Sequence, residues 1–261
     1  MIRPLPARSI KLLVFDLDGT LIDSTVDLCN SVNATLVHFD RARLPNERIT
    51  SFVGNGVQML VQRAFFNSLA SEVKPVDQDL LAAALQFFLD YYRVHKLDFT
   101  YAYEGVLDSL ESLQALPDGG LRKMAVLTNK PVRPSQAICD ALGMGKYFFR
   151  VYGGDSFVAK KPDPMGLRAL MDEAGVGPEE TLMIGDSEVD VRTARNAGAW
   201  ILGCTFGLAP QSLKNLDIDA LADHPADWTA ALNPDQSSKA DSSSEEISFT
   251  GGPSVGRGEI R

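Results

Sequence analysis

The chain predicts an α/β fold, a parallel-sheet core interrupted by an all-helical insertion. Three observations predict it. Short, nearly continuous apolar runs at residues 10–15, 123–127, 181–184 and 201–204 suit strands buried on both faces of a parallel sheet. From residue 104 onward these runs alternate with segments of helical periodicity, the pattern of βαβ units. Residues from about 25 to 100 break that alternation, with helical spacing throughout. At 261 residues the chain can form one large domain or two smaller ones.

The elements follow in order. Residues 10–15 form the first strand, closed by Asp16, Asp18, Gly19 and Thr20 at its carboxyl end. In the helical block Leu28, Val32, Leu36 and Val37 recur at helical spacing, then Leu60, Ala64 and Phe65, then Leu81, Leu85, Phe88 and Leu89. Pro45 and the Gly54-Asn55-Gly56 turn punctuate it. A helix at 105–116 leads through Pro117-Asp118-Gly119-Gly120 into the strand 123–127. Helices near 135–142, 164–174 and 189–197 then alternate with strands at 148–152, 181–184 and 201–204. Residues 1–24 and 101–233 therefore read as a Rossmann-like core domain, with 25–100 an inserted all-helical cap domain over the strand ends. Residues 234–261 are rich in Ser, Gly and charge. They would bury too little apolar surface to offset their ordering entropy and read as a disordered tail.

Composition narrows the function. Hydrophobic residues at 45% and charged residues at 23% are ordinary globular values. A net charge of -9 argues against nucleic acid as the main partner, so an anionic substrate would have to meet a local cation. Cys29, Cys139 and Cys204 have no metal-binding spacing and read as reduced core residues. His38 and His95 read as packing or surface residues. No apolar stretch at the N-terminus is long enough for a signal peptide or a membrane span. The expectation is a cytoplasmic protein with no membrane partner; the sequence leaves its oligomeric state open.

Four segments at predicted strand ends carry the chemistry. Asp16 and Asp18 are two carboxylates one residue apart, and they repel unless a cation or a shared proton intervenes. Thr128-Asn129-Lys130 places a hydroxyl and an amide where phosphate oxygens could accept from them, aided by the N–H groups of the next helix. Lys160-Lys161-Pro162-Asp163-Pro164 supplies ammonium groups before a helix that Pro164 and Asp163 suit as first-turn and cap residues. Gly185-Asp186-Ser187-x-x-Asp190 ends another strand in carboxylates, although a capped helix with an acidic first turn would produce the same letters. Together they form one constellation, since carboxylates can hold a hard cation such as Mg²⁺ while Thr and Lys hold a phosphate.

The set resembles the haloacid dehalogenase superfamily over about residues 11–207. All four of that family's motifs match, at Asp16-Leu17-Asp18-Gly19-Thr20, Thr128-Asn129, Lys161-Pro162 and Gly185-Asp186-Ser187-x-x-Asp190. The insertion resembles the C1-type cap. Residues 52–64, with Gly54-Asn55-Gly56 and Arg63, and the run Tyr101-x-x-x-Gly105-Val106 are most similar to the bacterial phosphoglycolate phosphatase group. The resemblance implies a Mg²⁺-dependent phosphomonoester hydrolase acting on a small phosphorylated metabolite. In it Asp16 attacks phosphorus to form an aspartyl-phosphate, and Asp18 protonates the leaving alkoxide and then activates water. It also implies that Mg²⁺ is held by Asp16, the backbone carbonyl of Asp18 and Asp186, with Asp190 in support, and that Thr128 and Lys161 bind the transferring oxygens. Lys161 rather than Lys160 matches, because it directly precedes Pro162.

Rival activities on the same scaffold separate by single residues. The dehalogenase branch lacks a second aspartate at the position of Asp18, and the mutase branch places a histidine where Leu28 stands here. A phosphonate hydrolase would need a Schiff-base lysine in the cap, which holds only Lys74 and Lys96. Phosphatases for sugar phosphates, nucleotides or pyrophosphate stay open, as does a non-catalytic binding protein. In the cap, Gly54-Asn55-Gly56 could offer N–H groups, and Arg63 a guanidinium, to a substrate carboxylate; a helix-joining turn and a solvated Arg would look the same.

Overall fold

A computed structural model describes residues 5–67, 77–116 and 119–233. The predicted tail, Lys74 and the Pro117-Asp118 pair lie outside the described residues. Six strands form a parallel sheet, β1 (Leu12–Phe15), β4 (Lys123–Leu127), β5 (Arg150–Tyr152), β6 (Thr181–Gly185), β7 (Trp200–Cys204) and β8 (Ala220–Ala222), in the order β5-β4-β1-β6-β7-β8. The chain starts at the centre with β1, builds outward to β5, then returns to β6 on the other side of β1. That reversal opens a crevice beyond the carboxyl ends of β1, β4 and β6, where open α/β sheets bind their ligands.

Alternation along β1 divides the core. Leu13 and Phe15 pack on one face with Val126, Ile184, Leu202 and Trp228, under helices α5 (Val106–Leu113), α6 (Val132–Ala141) and α9 (Ala226–Leu232). Leu12 and Val14 pack on the other with Met183, Ile201, Leu167 and Ala194, against α7 (Met165–Ala174) and α8 (Glu188–Ala197). With helices on both faces, every central strand position must be apolar, which is why these strands read as unbroken runs. The short β8 and α9 have no counterpart in the predicted elements.

Helices α1 (Thr25–His38), α2 (Asn46–Thr50), α3 (Val57–Asn67) and α4 (Gln78–His95) carry a separate core of Leu28, Val32, Leu36, Leu60, Phe65, Phe88 and Tyr92 among others. Val37, expected in that stripe, is 49% exposed, because one residue beyond Leu36 turns about 100° away from the core. The two chain crossings between this block and the sheet pair as a short antiparallel ribbon, β2 (Ile22–Asp23) with β3 (Tyr101–Ala102). Asp27 staples the same junction, its buried carboxylate accepting from Phe99 N, Thr100 N and Thr100 Oγ1. No helix among the described residues is long and apolar enough to cross a membrane.

Candidate active site

The turn after β1 places Asp16 and Asp18 differently. Asp16 Oδ1 accepts from Leu17 N at 2.7 Å and lies 2.9 Å from Lys161 Nζ. Asp18 points the other way: Lys130 Nζ lies 2.8 and 3.1 Å from its two oxygens, and Ser24 Oγ donates to Oδ1 at 2.5 Å. Gly19 makes this turn possible. Its φ of 86° is strained for any residue with a Cβ, and a Cβ there would stand 2.2 Å from Asp186 Oδ2.

Lys161 arrives from the loop after β5 and sits between carboxylates, 2.6 Å from Asp190 Oδ1 as well as 2.9 Å from Asp16. Asp190 is fully buried in the first turn of α8, where its other oxygen accepts from Ser187 N and Oγ. This is a capping box that doubles as a buried counter-ion. Asp186, after β6, accepts from Leu208 N and Ala209 N through Oδ2. Asp16, Asp186 and Asp190 each offer a carboxylate oxygen, and these oxygens lie within 4.8 Å of one another.

The electrostatics of this cluster are unbalanced. Burial pushes the Asp16 carboxyl up to about 6, against the pull of Lys161 and with the help of Asp190's charge. Burial also holds Asp186 well above its ordinary value, with Asp190 and Asp16 adding repulsion. The Lys161 ammonium stays up despite burial, because Asp16 and Asp190 face it. One ammonium among three buried carboxylates leaves about two negative charges uncompensated, and hard oxygen donors in that state fit a small divalent cation.

A cavity of about 330 Å³ opens over this cluster, lined by Asp16, Asp18, Thr128, Asn129, Lys130 and Asp186 from the sheet side. Leu28, Val53, Leu60, Phe88, Leu89 and Tyr92 line it from the helical block, and Gly54 and Gly56 also border it. Thr128, just after β4, lines the cavity, and its Oγ1 accepts from Lys130 N at 3.2 Å.

Three predicted binding residues behave otherwise. The Asn129 amide is not left to a phosphate, since its Nδ2 donates to Gly54 O and Lys161 O, both at 3.0 Å. It ties the Gly54 turn to the core. Arg63 is not brought into the cavity: its Nη1 donates to Phe52 O at 3.2 Å, along the flank of its own helix block. Asn55 is likewise held through its backbone, its carbonyl accepting from Lys160 Nζ at 2.7 Å, so the first lysine of the pair grips the helical block while the second enters the carboxylate cluster. The Asp18 side chain is not among the three clustered carboxylates, being held instead by Lys130 and Ser24.

Ser24 and Tyr92 belong to the site without any sequence signal that singles them out, and Lys130 and Ser187 lie inside the predicted segments without a signal for a role of their own. Lys130 stands beside Asn129 in the second segment, but Asp18 is 112 positions earlier, and no local pattern pairs them. Tyr92 sits one helical turn beyond Phe88 and reads as one more residue of the apolar stripe.

Comparison with known proteins places the chain in a family. The family model described as haloacid dehalogenase-like hydrolase matches residues 13–204. The phosphoglycolate phosphatase of Pseudomonas putida is 39% identical over 202 residues, covering 77% of this chain and 72% of that protein. That of Rhodospirillum rubrum is 36% identical over 227 residues, covering 86% and 92%. A crystal structure described as a predicted phosphoglycolate phosphatase from Haemophilus somnus superposes with a TM-score of 0.77 at 30% identity, covering 84% of this chain and 96% of that one. The chain belongs to the haloacid dehalogenase-like hydrolase family and is a phosphatase within it.

Proposed function

We propose that the chain hydrolyses 2-phosphoglycolate through an aspartyl-phosphate on Asp16, with Mg²⁺ as cofactor and helices α1–α4 as the cap over the site. The observation that carries this reading is the convergence of Asp16, Asp18, Thr128 and Asp186 on one cavity, with Lys161 and Asp190 directly behind Asp16. The substrate comes from the names of the relatives, each a phosphoglycolate phosphatase.

Asp16 would attack phosphorus through Oδ2, the oxygen left without a protein donor once Leu17 N and Lys161 hold Oδ1. The P–O bond to the alcohol breaks as the Asp16–P bond forms, and Asp18 gives the leaving oxygen its proton. Asp18 then takes a proton from the water that hydrolyses the aspartyl-phosphate, restoring both carboxyl groups. Thr128 and Lys161 would hold the transferring oxygens. Asp16, Asp186 and the backbone of Asp18 would hold Mg²⁺, which when bound neutralises charge on the transferring phosphoryl group. Asp190 would keep Lys161 aimed at Asp16.

The test is phosphate release from 2-phosphoglycolate, sugar phosphates, nucleotides, pyrophosphate and an aryl phosphate, with Asp16→Asn as control. The expected result is a kcat/KM for phosphoglycolate well above the others and abolished in Asp16→Asn. A different order, still abolished by the substitution, would discard the named substrate and keep the chemistry.

A further inference from the structure

The leaving group of 2-phosphoglycolate carries a carboxylate one methylene from the leaving oxygen, so a site for it needs a cation close to the acid that serves that oxygen. Most of the cavity wall on the helical side offers none: Leu28, Val53, Leu60, Phe88 and Leu89 are apolar. Arg63 is turned away and bonded to Phe52 O. Among the described residues Lys130 is the one basic side chain in the cavity lining. It touches Asp18 directly and stands 4.8 Å over the ring of Tyr92.

Tyr92 adds a second observation. It is 3% exposed and lines the cavity, yet its hydroxyl makes no close hydrogen bond within the protein, only a weaker interaction with the Lys130 ammonium. A buried hydroxyl without a close partner is rare in folded proteins and points to a ligand or water that satisfies it. Burial pushes the phenol up to about 12, so at neutral pH it is a donor. The Lys130 ammonium has three N–H donors. Asp18 accepts from it through both oxygens, the Tyr92 ring flanks it, and its residue lines the cavity.

We infer that the Lys130 ammonium and the Tyr92 hydroxyl form the subsite for the carboxylate of the leaving group, the specificity determinant of this enzyme. The inference rests on the substrate read above. It accounts for an anion being accepted by a chain of net charge -9, because the charge it meets is local and desolvated. It also fixes chain length, since an acid group several carbons from the ester oxygen would pass Lys130 and meet the apolar wall. One member of the pair comes from the loop after β4 and the other from α4, so the subsite is complete only with the helical block seated.

The experiment compares kcat/KM for 2-phosphoglycolate and for ethyl phosphate, which lacks the carboxylate, in the full chain with Mg²⁺. Wild type, Tyr92→Phe and Lys130→Met are measured. The wild type is expected to prefer phosphoglycolate strongly, and each variant to lower that ratio about tenfold or more, chiefly through KM for phosphoglycolate. Taking the ratio cancels any effect of Lys130 on Asp18, which falls on both substrates. A wild type without preference overturns the substrate reading itself, and the subsite with it. A wild type that prefers phosphoglycolate, with both variants keeping the ratio within twofold, overturns the subsite alone. Should Lys130→Met fail to fold, Tyr92→Phe decides, as it removes one oxygen and no packing.

Discussion

The ammonium of Lys161 lies 2.9 Å from Asp16 Oδ1, and both side chains are almost wholly shut off from solvent. A buried pair of this kind contributes little net stability, but removing one partner leaves the other charge stranded. Lys161→Met should therefore lose kcat by about 10²–10³, the usual effect of deleting one donor at a developing oxyanion, and should also lower the melting temperature. Steady-state kinetics and thermal unfolding check it. A variant with kcat within twofold of wild type would take Lys161 out of the chemistry.

The same cluster makes stability depend on pH and on metal. The folded Asp16 carboxyl is raised from 3.8 to about 6, so the folded state binds its proton more tightly than the unfolded chain. The stability this confers is fully present below about 3.8 and is lost as pH rises through about 6. A rise of that size is worth at most about 3 kcal/mol. Metal-free protein should thus lose stability as pH climbs from about 5 to about 7, and Mg²⁺ should raise the melting temperature more at the upper end of that window than at the lower. Thermal unfolding in EDTA and in Mg²⁺ measures both. In Asp16→Asn the dependence should flatten; an unchanged slope would place the titration elsewhere.

Asp27 tests the junction between sheet and helical block. Its buried carboxylate takes the Phe99 and Thr100 backbone N–H groups and the Thr100 hydroxyl. Asp27→Ala leaves those donors unpaired and should destabilise by about 2–4 kcal/mol. Urea unfolding measures the loss. A change below about 1 kcal/mol, the worth of a single ordinary hydrogen bond, would mean that the β2–β3 ribbon alone holds the junction.

The sheet was legible in the sequence because burial on both faces forces apolar residues at nearly every position of β1, β4, β6 and β7, the exposed Lys123 and the buried but polar Thr181 at the strand starts excepted. Three of the four motifs were legible because each follows one of those strands, and in the loop after β5 Pro162 singled out Lys161 from Lys160. What stayed hidden depended on partners distant in sequence. Lys130 meets Asp18 only because β4 lies beside β1. Arg63 could be read as a free cation because its acceptor, the Phe52 carbonyl, is a backbone group that no side-chain pattern announces. The strand β8 was missed for a different reason: three residues, Ala-Leu-Ala, are too short for any periodicity to register.

Gly19 separates what the turn demands from what the cluster demands. Both Gly19 and Gly175 have a positive φ, 86° and 70°, and in each an alanine meets the same backbone penalty of about 1 kcal/mol. The surroundings differ. At Gly175, which ends α7, a Cβ would have nothing within 4 Å, whereas at Gly19 it would stand 2.2 Å from Asp186 Oδ2. Asp186 cannot retreat without giving up the Leu208 and Ala209 N–H groups. Both substitutions should therefore lower stability, Gly19→Ala by more. Only Gly19→Ala should raise the Mg²⁺ concentration for half-maximal activity, by about tenfold or more, as expected when a carboxylate donor is displaced. A Mg²⁺ titration of the two variants decides. Equal half-saturation in both would mean that the Asp186 carboxylate does not serve the cation, and that the aspartate cluster owes its shape to folding alone.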